Sequence, residues 1–130
     1  MTDKNTASAQ EQTIAKIAAL NDAARATIHR PTGHNRVVMT AGIAEMVGDV
    51  AQWPAYRRQR FLLRTIMEYD AFSEDNNPHG ERDFGDFEWN GVRCYWKIDC
   101  YDLDLKFGSP DPANDAVTAR VLTILRADEY

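Results

Sequence analysis

The sequence predicts a small α+β domain in which an antiparallel sheet of about three strands, centred on a hairpin at Asn90-Gly91, packs against three helices. Asn-Gly between two alternating segments is the strongest short-range hairpin signal, because both turn positions need a positive φ. Three other segments show apolar residues at helical spacing. The chain has 130 residues, which suits one domain. We expect residues 1–9 to be a polar, disordered N-terminus and residues 10–130 to form that domain.

The N-terminal part of the chain predicts a helix followed by a strand. Apolar residues recur at three- and four-residue steps over 14–28, which predicts a helix over about 10–29. The short, β-branched segment 36–40 predicts a strand. Residues 43–50 are ambiguous, and a short helical turn is one interpretation of them.

A second helix is expected over 54–71. Pro54 suits its first turn, because the N–H that proline lacks is unpaired at that position in any helix. The core stripe of this helix is expected to be Phe61, Leu62, Thr65, Ile66 and Tyr69. Another face carries three arginines at three- and four-residue spacing, namely Arg57, Arg60 and Arg64. These arginines form either a solvated face with an Arg64–Glu68 pair or a patch for phosphate or carboxylate.

A third helix is expected near the C-terminus. Turn-forming residues over 108–112 precede it, and Asn114 or Asp111 is placed to cap it. Its buried stripe is expected to be Val117, Val121, Ile124 and Leu125. The elements then run helix, strand, helix, strand, strand, helix, with the helices covering one face of the sheet and the other face free to be open.

The two-residue turn fixes the register of the hairpin. In this register Gly85 faces Trp96 and leaves room for its indole, and Glu88 and Arg93 form an opposite-charge pair. One face collects mainly apolar residues: Phe87, Trp89, Val92, Cys94, Trp96, Ile98 and Cys100. The other face collects polar or amphipathic residues: Asp86, Glu88, Arg93, Tyr95, Lys97, Asp99 and Tyr101.

The net charge of −5 conceals an asymmetry along the chain. Residues 1–65 carry nine Lys or Arg against five Asp or Glu, whereas residues 66–115 carry four against thirteen. Direct nucleic-acid binding is not expected of a chain that lacks a dominant basic surface. The acidic segment is either a solvated face or a surface that steers a basic partner.

Cysteine usage and hydropathy exclude several other classes. Cys94 and Cys100 lie six residues apart on one predicted strand, so roughly 20 Å separates them and they cannot form a disulfide with each other. We expect both to be small apolar core residues, and we expect no cofactor. No apolar run is long enough to span a membrane and no secretory signal is evident, so a cytoplasmic location is expected.

The first functional interpretation is a non-enzymatic protein-interaction module. Its acidic and aromatic surface would bind a partner protein, for example one with a basic nucleic-acid-binding surface. The binding residues are expected to be Asp86, Tyr95, Asp99, Tyr101, Asp102 and Asp104. Two alternatives stay open for the same rings: they are structural if a helix or loop covers them, or they are buried in a homodimer.

The second interpretation is a small metal-dependent, hydrolase-like enzyme. Its catalytic residues would be His79, Glu81 and Asp83. Its metal ligands would be carboxylates, which hard divalent cations prefer, namely Glu81, Asp83, Asp99 and Asp102. The sequence has neither a fixed metal-ligand spacing nor a nucleophile or phosphate-loop motif, and this favours the binding module over the enzyme.

Several segments in combination resemble a bacterial domain-of-unknown-function family, number 3768. They are RVVMTAG at 36–42, HGERDFG at 79–85, WKIDCYD at 96–102, GSPDP at 108–112, VLTI at 121–124 and EY at 129–130. The resemblance runs from about residue 14 to the end of the chain. It implies a small accessory protein of alphaproteobacterial plasmids and other mobile elements, and in that setting an inhibitor or modulator of a host defence complex. The resemblance implies no particular reaction.

Overall fold

The computed structural model describes residues 8–130. In chain order, its helices and strands are α1 (Ala9–Ala26), β1 (Arg36–Met39), α2 (Ala41–Val47), α3 (Trp53–Met67), β2 (Phe84–Trp89), β3 (Val92–Tyr101) and β4 (Ala119–Arg126). Two short 3-10 helices, at Asp115–Val117 and Ala127–Glu129, flank β4. The fold is a mixed α+β fold, as the sequence predicts.

Local side-chain caps set where α1 and α2 begin. The Ser8 hydroxyl accepts a hydrogen bond from the Glu11 N–H (3.1 Å), so Ser8 is the N-cap and Ala9 is the first residue of α1. Most of the N-terminal segment that we expected to be disordered, residues 1–7, lies outside the described residues. The ambiguous segment 43–50 contains most of α2, a helix of two turns at whose start the Thr40 hydroxyl accepts a hydrogen bond from the Ile43 N–H and Glu129 accepts one from the Gly42 N–H.

The sheet has four strands in the order β1-β4-β3-β2. Strand β4 is antiparallel to β3 and parallel to β1, and β3 is antiparallel to β2. The expected sheet of about three antiparallel strands is therefore a four-stranded mixed sheet, because the C-terminal segment enters its middle.

The predicted C-terminal helix is wrong, because residues 119–126 form strand β4. Val121, Ile124 and Leu125 have helical spacing, but in β4 they alternate between the two faces of the sheet. This strand is central in the sheet, between β1 and β3, and its sequence is mostly apolar, so that helix and strand are hard to distinguish from the sequence alone. Asn114 does cap a helix, but that helix is only the 3-10 turn before β4.

The Asn90-Gly91 hairpin is confirmed in its predicted register. Both turn residues have positive φ, 51° for Asn90 and 78° for Gly91. Gly85 lies opposite Trp96, and Glu88 lies opposite Arg93. The expected Glu88–Arg93 ion pair is replaced, because the Arg93 guanidinium reaches diagonally to the Asp86 carboxylate at 3.4 Å.

The core lies between one face of the sheet and the three helices. It is built from Trp96, Ile98, Leu122 and Ile124 of the sheet, together with Ile28, Ile43, Leu62 and Ile66 of the helical side. The stripe predicted for α3 is confirmed for Leu62 and Ile66, which are fully buried. It is wrong for Phe61, whose side chain is 65% exposed, because Leu63 turns to the core instead.

A buried arginine joins α1 to the end of α3. Arg25 donates hydrogen bonds to the backbone carbonyls of Ile66 (3.0 Å) and Tyr69 (2.8 Å). Its guanidinium carbon lies 4.9 Å from the ring centroid of Trp96. These contacts fix the chain where it leaves α3 for the loop over 73–82.

The prediction that both cysteines are core residues is confirmed for Cys94 and is wrong for Cys100, which lies outside the core cluster. Cys94 and Cys100 both lie on β3 and neither forms a disulfide. Cys94 is buried in the core and Cys100 is half-buried. Among the described residues, no helix is both long and apolar enough to cross a membrane.

Candidate functional site

The face of the sheet turned away from the helices carries a cluster of aromatic rings. Phe84 and Tyr95 lie on adjacent strands with ring centroids 5.0 Å apart. Tyr130, at the end of the second 3-10 helix, packs edge-on against both, at 6.3 Å from Phe84 and 5.5 Å from Tyr95. Its side chain remains 78% exposed, so the cluster is accessible from solvent.

A groove of about 690 Å³ lies between this aromatic cluster and the loop over 73–82. The loop contributes Ser73, Asp75, Asn76, Pro78 and His79 to its lining. Asn76 holds the loop in place by donating to the Tyr69 hydroxyl (3.1 Å) and the Ala71 carbonyl (3.0 Å). We call this feature the acidic groove, because its charged lining is dominated by carboxylates.

Four carboxylates and two cations line the acidic groove. The carboxylates belong to Asp75, Asp83, Asp86 and Asp99, and the cations to Arg93 and Lys97. Arg93 pairs with Asp86, and Lys97 donates to Asp99. Asp75 and Asp83 form no ion pair with any residue over 8–130. The groove therefore has an excess of two negative charges for an incoming cation to neutralise.

Two groups in the groove have shifted pKa values. Burial raises the pKa of the Asp83 carboxyl, and the nearby Asp99 carboxylate adds to the rise. The hydrogen bond to Asp99 raises the pKa of the Lys97 ammonium, which keeps that cation charged. A cation placed beside Asp83 would favour its ionised form and would be attracted to it in return.

The structure brings together five of the residues that the sequence analysis singled out. His79, Asp83, Asp86, Tyr95 and Asp99 all line the acidic groove. They converge because the hairpin register places alternate residues of β2 and β3 on one face, while β2 begins at Phe84 and leaves Asp83 at its entrance.

Four other predicted site residues do not line this groove. Asp102 accepts a hydrogen bond from the Lys106 N–H (3.0 Å) within its own turn, and Asp104 is exposed in the same turn. Tyr101 ends β3 opposite Ala119. Glu81 is half-buried, and its backbone carbonyl accepts a hydrogen bond from Asn21 (2.9 Å).

The proposed metal quartet of Glu81, Asp83, Asp99 and Asp102 is not assembled into one ligand set, since only Asp83 and Asp99 line the groove. Over residues 8–130, no group of three or more His, Cys, Asp or Glu side chains is placed to hold a metal ion. The arrangement instead offers dispersed carboxylates beside aromatic rings, which suits recognition of an organic cation.

Among the aromatic and acidic residues that line the groove, three were not predicted from the sequence: Asp75, Phe84 and Tyr130. Phe84 could have been found, because the predicted register places it opposite Lys97 on the polar face. Tyr130 had no local signal, because its position depends on β4 being a strand that delivers the C-terminal segment to this face. Asp75 lies in a loop whose path over the sheet is set by the Asn76 contacts and by no sequence pattern.

A family model described as "Protein of unknown function (DUF3768)" matches residues 39–129. The matched region contains both sides of the hairpin, the loop over 73–82 and β4, and so includes nearly all of the acidic groove. No curated protein and no solved structure matches the chain. The family match covers well over half of the sequence, and the chain therefore belongs to the DUF3768 family.

Proposed function

We propose that this DUF3768 chain is a non-enzymatic protein-interaction module that binds a basic segment of a partner protein in its acidic groove. One observation carries the proposal: an aromatic cluster and an excess of carboxylates line the same accessible groove of about 690 Å³. Aromatic faces and carboxylates are the two groups that attract Lys and Arg side chains in water.

The groove already holds one cation in this way. The guanidinium carbon of Arg93 lies 5.4 Å from the ring centroid of Tyr95, while its nitrogen contacts Asp86. A Lys or Arg of a partner would use the remaining groups of the same kinds, namely the exposed ring of Tyr130 and the carboxylates of Asp75 and Asp83. Both carboxylates are free of ion pairs within the described residues, so binding would not have to break one.

Long-range charge supports the same partner class. Every residue that lines the groove except Tyr130 belongs to the acidic segment 66–115. An electrostatic field of one sign speeds encounter with a partner of the opposite sign. We propose a cytoplasmic setting on a bacterial mobile element, in which the partner is a host defence complex with a basic nucleic-acid-binding surface. The family resemblance and the acidic charge support this setting.

A labelled peptide of alternating Arg and Gly residues tests the proposal by fluorescence anisotropy. The double variant Asp83→Asn with Asp86→Asn removes two carboxylates from the groove. Its matched control, Glu45→Gln with Asp104→Asn, removes two charges from exposed positions outside the groove. We expect the groove variant to bind about tenfold more weakly and the control to bind within about twofold of the wild type.

Two results would contradict the proposal. Equal weakening by both double variants would mean that the peptide responds only to net charge. Unchanged binding by the groove variant would place the peptide elsewhere on the molecule. Circular dichroism of both variants is the control for folding.

A further inference from the structure

The outward face of α3 carries a second surface, of opposite charge to the acidic groove. We propose that it docks an acidic protein segment that inserts an apolar side chain between two exposed aromatic rings. We call it the α3 surface and define it by Trp53, Arg57, Arg60, Phe61 and Arg64. Trp53, Arg57, Arg60 and Arg64 recur at three- and four-residue steps, and Phe61 lies four residues after Arg57 and three before Arg64, so the five share one continuous face of the helix.

Two adjoining concavities make up the α3 surface. The first, of about 410 Å³, is lined mainly by apolar groups, including Trp53, Phe61 and the hairpin residue Trp89. The second, of about 330 Å³, is lined by His29, Arg60 and Arg64. Arg57 and Phe61 line both, so the two concavities are parts of one surface.

The aromatic residues of this surface are unusually exposed. Trp53 is 69% exposed and Phe61 is 65% exposed. The two rings lie about two helical turns apart on the same face of α3. Solvent-exposed rings grouped around a concavity mark interaction sites more often than isolated exposed apolar residues do. Trp and Arg together are the residue types most enriched at the energetic centres of protein interfaces.

Charge complementarity identifies an acidic occupant. Within residues 8–130, Arg57 and Arg60 have no carboxylate within ion-pair distance. The other two arginines of the helix are engaged, Arg58 with the Val47 carbonyl at 3.0 Å and Arg64 with Glu68 at 3.0 Å. Arg60 lies over the ring of Tyr56, 6.0 Å from its centroid, but its charge has no carboxylate partner among residues 8–130. The surface therefore presents two guanidinium groups without an ion pair beside an apolar concavity, which fits carboxylates beside an apolar anchor.

The same observations favour a protein segment over nucleic acid. Proteins that bind nucleic acid through its phosphates make several cationic contacts, on the order of 6–10 in strong cases, whereas this face offers two arginines without an ion pair among residues 8–130. The net charge of −5 also repels an extended polyanion. The larger concavity is mainly apolar, and an aliphatic or aromatic side chain fills such a space better than a phosphate does.

A fluorescent peptide of alternating Glu and Leu residues is the probe, with the Gln-for-Glu peptide and single-stranded oligothymidylate as comparisons. Binding is also expected to shift the tryptophan emission, because exposed Trp53 and buried Trp89 both line the larger concavity. We expect Phe61→Ala and Arg57→Glu each to weaken binding at least about tenfold. The matched controls Phe107→Ala and Arg36→Glu change exposed residues outside this surface and are expected to have little effect.

Three outcomes would overturn this inference: no binding of the Glu-Leu peptide, equal binding of the Gln peptide, or tighter binding of the oligothymidylate. The acidic groove is tested separately, because the Asp83 and Asp86 variants should leave binding at the α3 surface unchanged. Failure at one surface therefore leaves the result at the other intact. Far-ultraviolet circular dichroism shows whether each variant is folded.

Discussion

The indole of Trp96 occupies the space that a side chain at Gly85 would need. The two residues face each other across β2 and β3, and Trp96 is fully buried. A Cβ at position 85 would overlap the Trp96 ring and would lie 2.8 Å from Cε1 of Tyr69. Tyr69 also packs edge-on against Trp96 at 5.5 Å, so neither ring is free to move aside.

Gly85→Ala is therefore expected to lower the free energy of unfolding by about 2 kcal/mol, since overpacking forces buried rings from their positions. Gly108→Ala is the matched control, because a Cβ there meets no atom within 4 Å and its φ is not positive. We expect the control to change stability by less than about 0.5 kcal/mol. Urea unfolding of both variants measures the difference, and equal stabilities would show that the core relaxes around the added methyl.

Arg25→Met is expected to lower the free energy of unfolding by about 3 kcal/mol, because it removes the arginine donor of the Tyr69 carbonyl, one of the two donors to the Ile66 carbonyl and the ion pair with Asp22. The methionine keeps an apolar stem against Trp96, so the loss reports mainly on the hydrogen bonds. Arg64→Met is the control, since its pair with Glu68 is exposed and worth no more than about 0.5 kcal/mol. A small loss at position 25 would mean that water reaches the two carbonyls.

The hairpin could be predicted because its determinants are local. Asn90-Gly91 selects the turn, and a two-residue turn leaves one register in which apolar residues share a face. Strand β4 could not be predicted in the same way, because its identity depends on partners far along the chain, Arg36–Met39 on one side and Cys94–Tyr101 on the other. Within the segment 119–126 alone, the apolar spacing satisfies a helix as well as a strand.

The candidate site, like the fold, could be predicted where it depends on the hairpin and could not be predicted where it depends on β4. Asp86, Tyr95 and Asp99 follow from the register of the hairpin, and the structure places all three in the acidic groove. Asp102 was misplaced because its carboxylate caps its own turn, a contact that no pattern in the sequence reveals. Tyr130 was missed because the C-terminal segment reaches the groove only through β4.

Strand β4 is expected to contain the most slowly exchanging amides of the domain. It is hydrogen-bonded on both sides, to β1 and to β3, and Leu122 and Ile124 are fully buried. Such amides exchange only when the whole domain unfolds. Hydrogen–deuterium exchange followed by NMR measures this protection. Helix-type contacts between residues three or four apart over 119–126 would contradict the assignment of β4.

The ionisation of Asp83 connects the stability of the domain to its proposed binding. Because burial raises the pKa of this carboxyl in the folded chain, the folded state favours the protonated form more than the unfolded state does. The stability that protonation contributes is complete below the ordinary Asp value of 3.8 and is lost as the pH rises through the raised value. At neutral pH the ionised Asp83 is therefore a cost to folding that a bound cation would reduce.

Asp83→Asn should consequently make the domain more stable at neutral pH and weaken its binding of the Arg-Gly peptide. Asparagine resembles the neutral carboxyl at every pH, so the stability gain should shrink as the pH falls and vanish below about 3.8. Urea unfolding between pH 3 and pH 7 measures the gain, with Asp104→Asn at an exposed position as the matched control for the loss of one carboxylate. A variant less stable than the wild type at pH 7 would mean that the groove already stabilises the Asp83 carboxylate. A partner's cation would then not be needed to offset a cost of ionising Asp83.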